Sequence, residues 1–148
     1  MIKKTKLPIS IVIPTLGQNH LIKCLEKINL SICLPSEVLI VVPNKNYSKN
    51  LFLKSIFPKL TIQIISSKKK NQVYQRILGF KKAKYTYVMQ LDDDVELDKN
   101  CLYDLYYFIK GKKKVSVAPR YTEKNNPSAI YKKPKNFFLK FYHWLINS

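Results

Sequence analysis

Three runs of β-branched and aliphatic residues each stop at a proline: Ile9–Ile13 before Pro14, Val38–Val42 before Pro43 and Val115–Ala118 before Pro119. Such runs are apolar at consecutive positions, the profile of strands covered on both faces. Two further strands are predicted, over Leu60–Ile65 and over Tyr85–Leu91. Between them, Leu21, Leu25, Ile28 and Ile32 recur at helical spacing up to Pro35. A short helix is expected over residues 48–56, with Leu51, Phe52, Leu53 and Ile56 as its apolar positions. Asn71 is a predicted N-cap for a helix turning Val73, Ile77 and Phe80 inward. Asp98 is a predicted cap for another, with Leu102, Leu105 and Ile109 inward and Gly111 just past its end. The order β-α-β-α-β-α-β-α-β implies an α/β fold, a mostly parallel sheet with helices on both faces.

A chain of 148 residues with 46% apolar and 24% charged side chains is one globular domain able to build its own core. The expected division is an α/β domain over residues 1–119 and a basic-aromatic segment over 120–148, read as the start of a further half. That segment ends Phe137-Phe138-Leu139-Lys140-Phe141-Tyr142-His143-Trp144, which suits a membrane interface or a terminal helix packed on the sheet. Cys24, Cys33 and Cys101 lack CxxC spacing and are odd in number, the usage of reduced, buried thiols. The basic start Met1–Lys6 leads into an apolar run broken by Pro8 and Pro14, unlike a secretory signal. The Asn46-Tyr47-Ser48 sequon therefore carries no weight. No apolar stretch is long enough to span a bilayer, and the expected location is cytoplasmic with membrane association.

Lys+Arg number 27 against 9 Asp+Glu, a net charge of +18, and only Arg76 and Arg120 are arginines. AT-rich coding yields such a Lys, Ile, Asn and Tyr bias. Function would make it an attraction to anionic membranes or phosphorylated ligands. Sequence-specific nucleic-acid readers favour arginine forks, so no nucleic acid is expected as partner.

Five of the nine acids fall within Asp92-Asp93-Asp94-Val95-Glu96-Leu97-Asp98, at the carboxyl end of the predicted fourth strand. Ligands of open α/β sheets bind at that end. Adjacent carboxylates repel unless a cation or several donors compensate them. If the extended geometry persists, Asp92 and Asp94 point the same way and suit Mg²⁺ or Mn²⁺, leaving positions open for diphosphate oxygens. The plainer alternative is a solvated turn feeding a helix N-terminus.

The segments Ile9–Thr15, Gln75–Gly79 and Tyr87–Val95 together resemble family 2 glycosyltransferases of the GT-A fold, over residues 8–119. The resemblance implies a Rossmann-like nucleotide-sugar-binding half and an inverting, metal-dependent transfer from a nucleotide-diphosphate sugar to an acceptor hydroxyl. It implies donor contacts from Pro14, Thr15, Leu16, Asn44, Arg76, Asp92 and Asp93, with Asp92 and Asp94 on a Mg or Mn cation. Two departures stand out. Asn44 occupies the place where family members carry an aspartate for the nucleobase, and Ile77 replaces the asparagine of an Arg-Asn-x-Gly element.

The general base of inverting members lies in a later acceptor half, whereas this chain ends 54 residues beyond Asp94. Glu96, Asp98, Asp104 and Glu123 are the acids downstream, and none is assigned as base. The length implies a piece of a longer enzyme, or a short product that holds a donor without completing turnover. A haloacid-dehalogenase-type phosphohydrolase lacks its second acidic pair, and a calcium EF-hand fails because Leu97 stands where that loop needs Gly. The non-enzymatic alternative is a basic module for anionic membrane or nucleic acid, using Lys68–Lys70 and Lys112–Lys114.

Overall fold

A computed structural model describes residues 4–16, 19–44 and 53–119. The chain divides into two compact units, Met1–Val117 and Ala118–Ser148. The elements below belong to the first. Residues 120–148, Glu123 among them, lie outside the described residues, as do the Asn46 sequon, Leu51 and Phe52.

The described elements run β1 (Lys6–Pro14), α1 (Asn19–Leu30), β2 (Leu34–Val42), α2 (Leu53–Ile56), β3 (Ile62–Ser66), α3 (Gln72–Lys82), β4 (Tyr87–Gln90) and α4 (Cys101–Ile109). The four strands form one parallel sheet in the order β3-β2-β1-β4. Strands β1 and β2 are central, and their continuous apolar runs are buried on both sides. Ile11, Ile13, Val38 and Ile40 point to one face, where they meet Leu21, Leu25 and Ile28 of α1, Leu53 of α2, and Leu102 and Tyr106 of α4. Val12, Leu39 and Val41 point to the other and meet Leu78 of α3 and Ala83 beyond its end. Strand β1 begins three residues before the predicted run and takes in Pro8, which cannot donate to a ladder. The register slips there, between Leu7 and Ser10, so the proline sits in a bulge.

Four expectations are corrected. Helix α1 ends at Leu30, so Ile32 falls beyond it and is 44% exposed. Helix α3 starts as predicted, with the Asn71 side chain accepting from Tyr74 N at 2.9 Å, but it is turned the other way. Gln75 and Gly79 are its buried residues, while Val73, Ile77 and Phe80 are exposed. The reason is close approach: a Cβ on Gly79 would lie 2.2 Å from Val12 Cγ1, so only a glycine lets the helix sit this near β1.

Asp98 does not cap α4 directly. Its carboxylate accepts from Asn100 N at 2.8 Å, making a turn that leads into the helix at Cys101. In α4 the inward residues are Leu102 and Tyr106, with Leu105 and Ile109 half-buried, and Gly111 follows the end at φ 79°. The fifth strand expected over Val115–Ala118 does not form. Lys114 takes a left-handed φ of 55° just before it, and the segment pairs with no strand among the described residues.

Candidate donor site at the carboxyl edge of the sheet

The parallel sheet gathers the ends of β1, β2 and β4 at one edge. Strand β1 closes at Pro14, and the chain is still tethered one residue later by Thr15 N donating to Val41 O at 3.0 Å. Thr15 is buried, and its hydroxyl donates to Asp93 Oδ2. On the other side of β1, Leu91 N donates to Val12 O at 3.0 Å. The acidic residues are thereby brought against the end of the first strand.

The pleat does not continue through them. Val95 N donates to Asp92 O at 3.2 Å, so the chain turns over Asp92–Val95 and the three carboxylates diverge in role. Asp92 accepts from the Arg76 guanidinium at 2.7 Å, Asp93 takes the Thr15 hydroxyl, and Asp94 is exposed. The alternation expected for Asp92 and Asp94 therefore ends where the turn begins. Arg76 and Asp92 are both partly buried, and Arg76 Nε is buried with no partner. Beneath the turn, Cys24 Sγ lies 3.8 Å from Asp92 O. Burial, with Asp93, Asp94 and Glu96 adding repulsion, pushes this thiol from 9.0 to about 12. Cys24 is thus an inert, protonated group. Glu96 pairs with Lys27 of α1 at 3.4 Å, an exposed contact of little energetic weight.

Gln75 has no assigned role in the sequence reading and proves central to this edge. Its buried side-chain amide donates to Val41 O at 2.6 Å and to Thr15 O at 3.2 Å. These carbonyls belong to the ends of two strands. Val41 O, which also accepts from Thr15 N, thereby gains a second donor, and Thr15 O a donor from the helix. The signal that could have found it is Gly79, four residues on: phasing the helix on the glycine rather than on the apolar stripe turns Gln75 inward.

Of the expected donor residues, Pro14, Thr15, Arg76, Asp92 and Asp93 come together at the corner of β1, α3 and the acidic turn. Leu16 is 37% exposed just beyond that corner. Asn44 is exposed in the bend after β2. Arg76 pairs with Asp92, Asp93 takes the Thr15 hydroxyl and Asp94 is exposed, so the turn presents negative, hard oxygen ligands to solvent.

The sequence profile described as Glycosyl transferase family 2 matches residues 10–147. The chain belongs to this family. Comparison with curated proteins gives no match. Among solved structures, S. aureus TarS 1-349 is similar with TM-score 0.62 and 15% identity, covering 79% of this chain and 40% of that one. The same protein in complex with UDP-GlcNAc gives TM-score 0.58 and 17% identity over 80% of this chain and 39% of that one. Its complex with UDP gives 0.57 and 17% over 80% and 40%. These likenesses carry the GT-A fold. This family 2 chain spans about two fifths of the length of the TarS 1-349 structures.

Proposed function

We propose that this family 2 chain binds a nucleotide-diphosphate sugar at the carboxyl edge of its sheet and serves transfer of the sugar to an acceptor hydroxyl. The observation that carries this reading is the hydrogen bond from Thr15 to Asp93, which draws the acidic turn onto the end of β1. Family membership supports the reaction class, and TarS, a structural neighbour, was solved with UDP-GlcNAc and with UDP.

In this reading Pro14, Thr15 and Leu16 line the nucleotide through backbone contacts, and Asn44 offers an amide to a base edge. Arg76 meets the diphosphate, and Asp93 fixes the turn through Thr15 while bordering the donor. Asp92 and Asp94 would hold a Mg or Mn cation. Their hard oxygens fit such an ion, and with no cluster of three or more acidic, His or Cys ligands among the described residues, diphosphate oxygens and water would complete its shell. When bound, that cation offsets charge on the departing nucleoside diphosphate. Arg76 supplies fixed positive charge to the same group, and its Asp92 partner orients it. The acceptor is activated by a base that no described residue provides in this account.

Thermal stabilisation by nucleoside diphosphates, with and without Mn²⁺, tests the reading. The expected result is a stabilisation that needs the metal, is seen with the full chain, and is lost in Asp94→Ala. Equal stabilisation of Asp94→Ala and the unaltered chain overturns the site.

A further inference from the structure

We propose that the outer face of α4 and the lysine turn after it dock on an anionic lipid bilayer. Helix α4 is held by its inner side, where Tyr106 packs edge-on against Tyr87 at 5.4 Å between centroids. Its outer residues are large and uncovered: Tyr103 is 40% exposed, Tyr107 51% and Phe108 57%. Tyr103 and Tyr107 stack on each other at 4.4 Å, so the rings form a continuous surface rather than scattered side chains.

Ammonium groups border this surface. Lys110 lies over the Tyr107 ring at 5.5 Å and Lys112 over the Phe108 ring at 3.9 Å, with Lys113 and Lys114 next in the chain. From Asp98 to Lys114, five lysines (Lys99, Lys110, Lys112, Lys113 and Lys114) face two acids, Asp98 and Asp104. Asp104 is exposed on the helix among the rings. A bilayer interface answers both halves of this surface, with lipid phosphates for the lysines and the boundary between headgroups and acyl chains for the rings. An acidic protein surface would leave the rings in water, and a single-stranded nucleic acid, which stacks bases on such rings, is separated from lipid by the vesicle and RNA measurements below.

The orientation also suits it. Ile32 N donates to Lys99 O at 3.0 Å, and Gly111 N donates to Tyr87 Oη at 3.0 Å. Ile32 precedes β2 and Tyr87 opens β4, so both ends of α4 are tied to the amino side of the sheet. The acidic turn leaves β4 at the opposite side, where Asp94 is exposed.

Co-sedimentation of the full chain with phosphatidylcholine vesicles, with and without phosphatidylglycerol, tests the proposal. Binding is expected only with the anionic lipid. It should fall about tenfold or more in Lys112→Glu/Lys113→Glu, where four charge units change. Tyr107→Ser/Phe108→Ser should also weaken it, and circular dichroism checks that these variants fold. Asp104→Asn leaves the helix intact and should strengthen binding several-fold. Three results overturn the proposal: equal binding to neutral vesicles, unchanged binding in the lysine and ring variants, or ring variants that hold vesicles and single-stranded RNA as tightly as the unaltered chain.

Discussion

At the scale of single residues, the chain's few glycines and buried polar groups decide more than its many lysines. Gly79 is the point where α3 touches the sheet, and an added methyl group would meet Val12 and Val41 side chains, both in the core. Gly79→Ala is expected to lower stability by about 1–3 kcal/mol, the cost of overpacking, despite alanine's better helix propensity. Urea denaturation of the two proteins reads the difference, and an equal or higher midpoint for the alanine variant would contradict the packing. The family resemblance puts Gly79 in a ligand-facing element, whereas its contacts make it a spacer between helix and sheet. Arg76, one turn away from it in the helix, is the member of that element that reaches the acidic turn.

At the scale of elements, β1 and β2 were legible because prolines and β-branched runs mark them from both ends. Helix α3 was legible in position through its Asn71 cap and illegible in rotation. An apolar stripe at Val73, Ile77 and Phe80 outweighs one glycine and one glutamine in any periodicity argument, yet backbone proximity at Gly79 and the Gln75 amide's bonds to the strand-end carbonyls decided the outcome. The acidic turn was legible from charge alone, but the turn that ends the strand alternation at Asp92 was not, since it is held by Thr15 and Arg76 from elsewhere in the chain. Strand β4, only four residues long, needs help from side chains. The buried Glu37 of β2 accepts from Ser10 Oγ and from Lys84 N, both at 2.7 Å, and Ser10 Oγ accepts from Tyr85 N at 3.1 Å. Glu37→Ala strands two donors at the entry to β4 and should cost about 2 kcal/mol or more. Glu37→Gln keeps the acceptor oxygen and should recover most of that loss in the same denaturation assay; no recovery would mean the carboxylate's charge is what matters.

At the scale of the whole molecule, the described residues combine a parallel sheet, five acids gathered in the turn after β4, and lysines spread over the rest. No described helix is long and apolar enough to cross a membrane. The buried thiol ties global stability to pH. Cys24 has its pKa raised from 9.0 to about 12, chiefly by burial, and Cys101 is raised for the same reason. Above pH 9 the unfolded chain releases a proton that the native chain retains, so unfolding becomes easier as pH rises. This contribution is complete below pH 9.0 and lost between there and about 12. The comparison that isolates the thiol is with Cys24→Ala: its denaturation midpoint should fall less steeply from pH 8 to pH 11. Parallel slopes would dismiss the thiol as the source.

The Gln75 amide joins the ends of β1 and β2 through Thr15 O and Val41 O, and Thr15 in turn holds Asp93. The spacing of those two strand ends is therefore set jointly by the direct Thr15 N–Val41 O bond and by one side chain buried in a neighbouring helix. In the proposed donor site, a substitution at Gln75 would reshape the floor beneath a nucleotide while leaving every exposed group unaltered. Under that proposal, selection for ligand fit acts on a buried residue behind the site as well as on those lining it.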